Sequence, residues 1–251
     1  MSRLTRLTTI AALVMLVGGA LAPLAAEAPA DPRLAAEQAE AARLRTDWAQ
    51  LQHYRDENLR LPPASRTAPR VIFLGDSITA SWHLSDLGLE RLEVLNRGIG
   101  GQTTPQMLVR FRQDVVRLAP AVVHILAGTN DLAENTGPTT LAAIEDNLRS
   151  MVEIAQANHI RVVLASVLPT LDYPWRRGLQ PAARISALNS WMRAYAGQRK
   201  LVYVDYYSAL ADSRHGLHAA LSADGVHPNE AGYAAMRPLA RKAVMQALGQ
   251  H

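Results

Sequence analysis

The chain has 251 residues, 49% of them hydrophobic and 19% charged, a composition that suits one large α/β domain and excludes disorder as its default state. Its 26 basic and 22 acidic residues contain neither a run of five like charges nor a basic stretch interleaved with aromatics, so the footprint of a nucleic-acid binder is missing. With zero cysteines, disulfides, thiolate metal sites, a cysteine nucleophile and a lipidated bacterial N-terminus are all excluded.

In chain order, Arg3 and Arg6 precede an apolar run from Ile10 to Leu21 and small residues from Ala25 to Ala30, the pattern of a secretory signal over about residues 1–26. The run is shorter than the roughly 20 residues that span a bilayer, so the expectation is cleavage, a periplasmic or secreted location and a mature chain without a membrane span. Cleavage removes two arginines and no acid, which leaves 24 basic against 22 acidic residues, so a sequence pI of about 9.7 is no evidence for nucleic acid.

Residues 34–59 are rich in helix formers and space Leu44, Trp48, Leu51 and Tyr54 by three and four, which predicts one amphipathic helix. The Pro-rich stretch 62–69 cannot sustain a helix, so residues 27–69 read as an N-terminal helix and linker before a main domain over 70–251. Apolar runs at 71–74, 93–96, 121–127, 161–167 and 201–205 then predict five strands, alternating with helices over 105–118, 139–158 and 181–196. Pro105 and Pro181 suit first-turn positions. A closing helix is expected from Asn229, with Pro238 kinking or restarting it.

Such alternation predicts a parallel sheet covered on both faces, with ligands at the carboxyl ends of its strands. Ser77 follows the first expected strand, Gly98 to Thr103 the second and Gly128 to Asp131 the third. Near the C-terminus, Ser222-Ala223-Asp224-Gly225-Val226-His227-Pro228-Asn229 sets a carboxylate and an imidazole three residues apart in a constrained loop.

The blocks GDSIT, GIGGQT, GTND and DGVHP, in this order over about residues 70–248, resemble those of the GDSL or SGNH hydrolase superfamily. The eponymous leucine is Ile78 here, a swap of equal volume. The resemblance implies a three-layer α/β/α flavodoxin-like sandwich with strand order 2-1-3-4-5. It also implies a nucleophile at Ser77, a base at His227, an orienting acid at Asp224, and an oxyanion hole from the Ser77 N–H, a glycine N–H and the Asn130 side chain. Gly101 is the first choice for the glycine and Gly100 the runner-up.

Elementary chemistry supports these roles. An imidazole titrating near neutrality can take a serine proton, a carboxylate can hold one tautomer of it, and an asparagine amide donates without losing a proton. The expected reaction is acyl transfer through an acyl-serine, which requires no metal or organic cofactor.

Other residues carry plainer expectations. Asp76 and Asp131 read as structural neighbours of the site, His124 as a core histidine, and His215 and His218 as surface groups without a third metal ligand. Trp82, Tyr173, Trp175 and Arg176 are the substrate-binding candidates, because Trp82 follows the serine turn and the other three lie after the fourth strand. The substrate expected is a small-molecule or glycan ester, with acetyl or other small acyl groups favoured. A lysophospholipase or thioesterase of the same superfamily is the alternative within the class, and an idle glycan-binding protein the alternative outside it.

Overall fold

The five apolar runs form one parallel sheet in the order β2-β1-β3-β4-β5 in a computed structural model that describes residues 31–249. The expected signal segment lies outside the described residues. Among the described residues, no helix is long and apolar enough to cross a membrane. The chain divides into a unit of residues 1–41 and a unit of residues 42–251, and α1, Pro32–Thr46, runs across that boundary in sequence.

The predicted helix over 34–59 breaks in two. It stops at Thr46 and resumes as α2, Arg55–Arg60, because the Asp47 carboxylate accepts from the N–H groups of Leu51 and Gln52 at 2.7 and 3.0 Å. Gln50 takes a positive φ of 55°, which a continuing helix forbids. The carbonyls of Trp48, Ala49 and Leu51 are freed from helix bonding and accept instead from the side chains of Gln106, Gln102 and Gln113.

From there the order is β1 Arg70–Gly75, α3 Ser77–Ala80, β2 Glu93–Gly98, α4 Thr104–Asp114, β3 Val122–Leu126 and α5 Thr129–Leu132. Then follow α6 Leu141–Ala157, β4 Arg161–Ala165, α7 Ala182–Arg199, β5 Val202–Val204, α8 Tyr207–Leu210 and α9 Glu230–Leu248. Every residue of β1 is buried, as a central parallel strand with both faces covered requires. One face packs Ile72, Leu74, Val123 and Ile125 under Met107, Phe111, Leu148 and Leu188 from α4, α6 and α7. The other packs Val71, Phe73, Val163 and Val204 under Trp82, Met236, Ala240 and Val244, largely from α9.

Helix α9 is continuous through Pro238 rather than restarting there. Pro238 lies on the exposed face, where the Ala234 carbonyl it leaves unbonded can turn to water. The sheet therefore offers its carboxyl edge to four loops, those after β1, β2 and β3 and the one before α9.

Candidate active site

Ser77 opens α3 directly beyond β1, and Asp76 caps that turn by accepting from the Ile78 N–H at 2.9 Å. The Ser77 amide, one residue nearer the start, has no intrahelical partner of its own. The turn is pressed against the end of β2 so closely that a Cβ on Gly98 would lie 2.2 Å from the Ala80 nitrogen. Only glycine fits there.

His227 arrives from the loop before α9. Its Nε2 stands 2.9 Å from Ser77 Oγ, and its Nδ1 stands 2.7 Å from Asp224 Oδ2. The loop is tied locally: Asp224 Oδ1 accepts from the N–H groups of Val226 and His227 at 2.9 and 2.8 Å, and Ser222 Oγ donates to the His227 carbonyl at 2.7 Å. Burial opposes ionisation of Asp224, but the His227 ring and these two amides outweigh it and hold the carboxyl at about 2. An ionised Asp224 requires a proton on Nδ1, which leaves the Nε2 lone pair facing Ser77. Asn229 then starts α9 by accepting from the Gly232 N–H, and Tyr233 on that helix donates to the Ile78 carbonyl at 2.7 Å, strutting the histidine loop to the serine turn.

The third wall comes from the loops after β2 and β3. Gly101 has a φ of +74°, which favours glycine, and a Cβ on Gly100 would lie 3.9 Å from Ser77 Cβ. Asn130 is buried, with its Nδ2 donating to the Gln102 carbonyl at 3.1 Å and its Oδ1 accepting from Asn135 Nδ2 at 2.8 Å. An amide nitrogen has two hydrogens, so one remains for a ligand. The Gln102 side chain is clamped in turn between the Ala49 carbonyl and Arg110 Nε, while Arg110 Nη2 donates to the Gly75 carbonyl at 3.0 Å. Arg110 is fully buried and paired with Asp114 at 3.1 Å, so the loops after β1 and β2 share one buried cation.

The neighbouring aspartates do other things. Asp131 accepts from the Thr104 amide and hydroxyl and ties α5 to the start of α4; burial raises its pKa and the Thr104 bonds oppose that rise. Asp76 is buried, and desolvation lifts it to about 7 against the pull of the Ile78 amide and of His227.

The four substrate candidates separate. Trp82 is 3% exposed, wedged among Phe73, Tyr206 and Tyr233, and Tyr173 is wholly buried, so neither presents a surface to a substrate. Their aromatic area goes to the core. Trp175 is 46% exposed with its ring 6.0 Å from that of His227, and its Nε1 donates to Asn135 Oδ1 at 3.0 Å. Arg176 is engaged with the carbonyl and carboxylate of Glu134, pinning this loop beside the turn after α5. Sequence reasoning missed Asn135, Gln102 and Arg110. For Asn135 the available signal was its place five residues beyond Asn130, one turn outside the GTND block.

Comparisons with known proteins bear on the fold and the family. A GDSL-like lipase from Bacteroides thetaiotaomicron VPI-5482 shares 40% identity over 80% of this chain and 100% of its own, with a TM-score of 0.77. An acetylxylan esterase from Geobacillus stearothermophilus has the same fold at 21% identity, covering 74% of this chain and 98% of its own, with a TM-score of 0.59. The cattle isoamyl acetate-hydrolyzing esterase 1 homolog is 30% identical over 148 residues, 51% of this chain and 59% of that protein. The aligned stretches span 35%, 59% and 46% of the lengths of the first three curated relatives. Residues 73–235 match the GDSL-like Lipase/Acylhydrolase family, a stretch that carries Ser77, Asn130, Asp224 and His227, and the chain belongs to that family.

Proposed function

We propose that the protein is a serine esterase that hydrolyses small acyl esters, chiefly acetates, of a ring-bearing polar alcohol such as a sugar. The observation that carries this reading is the aligned series Ser77 Oγ, His227 and Asp224, with heavy-atom distances of 2.9 and 2.7 Å. Ser77 Oγ attacks the ester carbonyl carbon as its proton passes to His227 Nε2, and Asp224 stabilises the imidazolium that forms. The carbonyl oxygen, now anionic, accepts from the Ser77 and Gly101 amides and from the free hydrogen of Asn130 Nδ2.

Collapse of the tetrahedral intermediate breaks the bond to the alcohol, which leaves with the proton from Nε2. Water then attacks the acyl-serine, giving its proton to Nε2, and the acid departs as Ser77 recovers its hydrogen. The exposed Trp175 indole beside His227 favours a leaving alcohol with a flat C–H face, because His227 is the group that protonates that alcohol. The acetate ester in the cattle relative's name is consistent with a short acyl group.

The test is a panel of p-nitrophenyl esters from acetyl to palmitoyl, run beside acetylated sugars, with Ser77→Ala as control. Turnover is expected to be highest for acetyl, to fall with chain length and to vanish in the control. Inactivity on every ester would sink the esterase reading, and a preference for palmitoyl would replace the substrate class.

A further inference from the structure

Asn135 lies in the exposed turn after α5, and both hydrogens of its side-chain amide are engaged. Nδ2 donates to Asn130 Oδ1 at 2.8 Å and to the Gly101 carbonyl at 3.3 Å, and Oδ1 accepts from Trp175 Nε1 at 3.0 Å. Its backbone N–H also donates to the Asn130 carbonyl at 3.0 Å. One side chain thus touches both loops that contribute oxyanion donors and the aromatic platform beside His227.

We propose that Asn135 is a positioning residue, which fixes the amide of Asn130 and passes engagement of Trp175 by the leaving alcohol to the oxyanion site. The proposal rests on the reading of Asn130 as an oxyanion donor.

A primary amide has nearly the same shape when turned end for end, so packing alone does not decide which end faces the substrate. Turned the wrong way, Asn130 would offer a carbonyl to a developing anion. The hydrogen bond from Asn135 is one of two contacts that set the orientation, since Nδ2 can only donate and therefore selects Oδ1 of Asn130 as its partner. The Gln102 carbonyl does the same at the other end by accepting from Asn130 Nδ2. Preorganised donors of this kind act on the transition state without reorganising when the charge appears.

Trp175 enters because its indole N–H holds Asn135 Oδ1, which leaves both hydrogens of Asn135 directed toward Asn130 and Gly101. A ring seated on the indole restrains it, and through it the Asn135 amide. Binding energy gained away from the reacting bond is then expressed in kcat as well as in KM.

Steady-state kinetics of six forms, wild type, N130A, N135A, N135D, N130A/N135A and W175F, with p-nitrophenyl acetate and an acetylated methyl glycoside, tests this. N130A is expected to lose roughly 10²–10³ in kcat, the usual loss for one oxyanion donor. N135A and N135D should each lose about tenfold, a part of that loss, with KM for p-nitrophenyl acetate within about twofold of wild type. N135D is informative because it keeps the acceptor for Trp175 and loses the donor for Asn130. The double variant should be no slower than N130A alone, since a positioning residue has nothing left to position. W175F keeps a smaller aromatic face and loses the N–H, and about a threefold fall in kcat is expected with the glycoside.

Asn135 is exposed, so its replacement leaves the core intact. A kcat for N135A or N135D within twofold of wild type, or losses that multiply in the double variant, would overturn the positioning role. If N130A itself turned over at the wild-type rate, the oxyanion assignment would fall; N130A crippled beside an unimpaired N135A would remove Asn135 alone.

Discussion

Two histidines next to aromatic rings have opposite fates in this molecule. His124, in the middle of β3, is wholly buried; it stacks on Phe73 with ring centroids 4.5 Å apart and shares one hydrogen bond with the Tyr206 hydroxyl at 2.9 Å. With no carboxylate beside it among the described residues, burial drives its pKa down to about 3, so it is neutral whenever the protein is folded near neutrality. His227 is about one-third exposed, has Asp224 on one nitrogen and Ser77 on the other, and lies in a loop where a cation can be solvated. Residue type and an aromatic neighbour do not make a general base. The proposed mechanism gives that role to the histidine that has a partner for the protonated ring and a path for the proton.

The comparison breaks most sharply at Asp224. Asp224→Asn preserves the shape of the loop but presents an amide to Nδ1, which favours the tautomer whose Nε2 already carries a hydrogen. The expected loss in kcat is about 10⁴, with little change in melting temperature. Because Asp224 is held at about 2, it is ionised in the wild type throughout pH 5 to 9, so the deficit at pH 7 reports the missing carboxylate and not its protonation. A variant that kept a tenth of wild-type kcat would show that His227 needs no orienting acid.

How much of this was legible beforehand follows from how local each interaction is. That Ser77, Asp224 and His227 come together was legible because strand-end turns and a Gly- and Pro-bounded loop constrain them within a few residues, and the ordered blocks supplied the long-range pairing. The alternation predicted a parallel sheet, and the strand order followed from the resemblance. Apart from its place five residues after Asn130, Asn135 carried no signal, because its partners Gly101 and Trp175 lie 34 and 40 residues away and an asparagine in a turn is ordinary. The break over 47–54 was hidden for a related reason. Helix propensity and apolar spacing both continue there, while the glutamines that take the carbonyls of Trp48, Ala49 and Leu51 come more than 50 residues later. Trp82 and Tyr173 follow strand ends as expected of pocket residues, yet the core closes over them.

His124 supplies the second way to sharpen the contrast, through stability rather than rate. His124→Phe strands the Tyr206 hydroxyl in an apolar interior, at an expected cost of about 1–3 kcal/mol in denaturant unfolding at pH 7, while kcat stays within about threefold. Adding Tyr206→Phe removes the stranded hydroxyl and should recover most of that loss. A His124→Phe enzyme with kcat reduced a hundredfold would place the buried ring in the chemistry after all.

The smallest effect concerns how His124 and Asp76 divide the pH scale. His124 is at about 3 when folded against an ordinary 6.5, so the unfolded chain binds the extra proton and stability falls as pH drops from about 6.5 toward 3. Asp76 is at about 7 when folded against an ordinary 3.8, so the folded chain binds the extra proton and stability falls as pH rises from about 4 through 7. Each slope is at most about 1.4 kcal/mol per pH unit, and between pH 5 and 6 they oppose one another. These two slopes largely cancel in that interval, and the raised Asp131 adds to the decline with rising pH. Asp76→Asn keeps an acceptor for the Ile78 amide and removes one slope, so its stability should climb from pH 5 to 6, whereas that of His124→Phe should decline. Denaturant titrations of the two variants that ran parallel to wild type from pH 5 to 6 would mean that neither buried group titrates as its surroundings require.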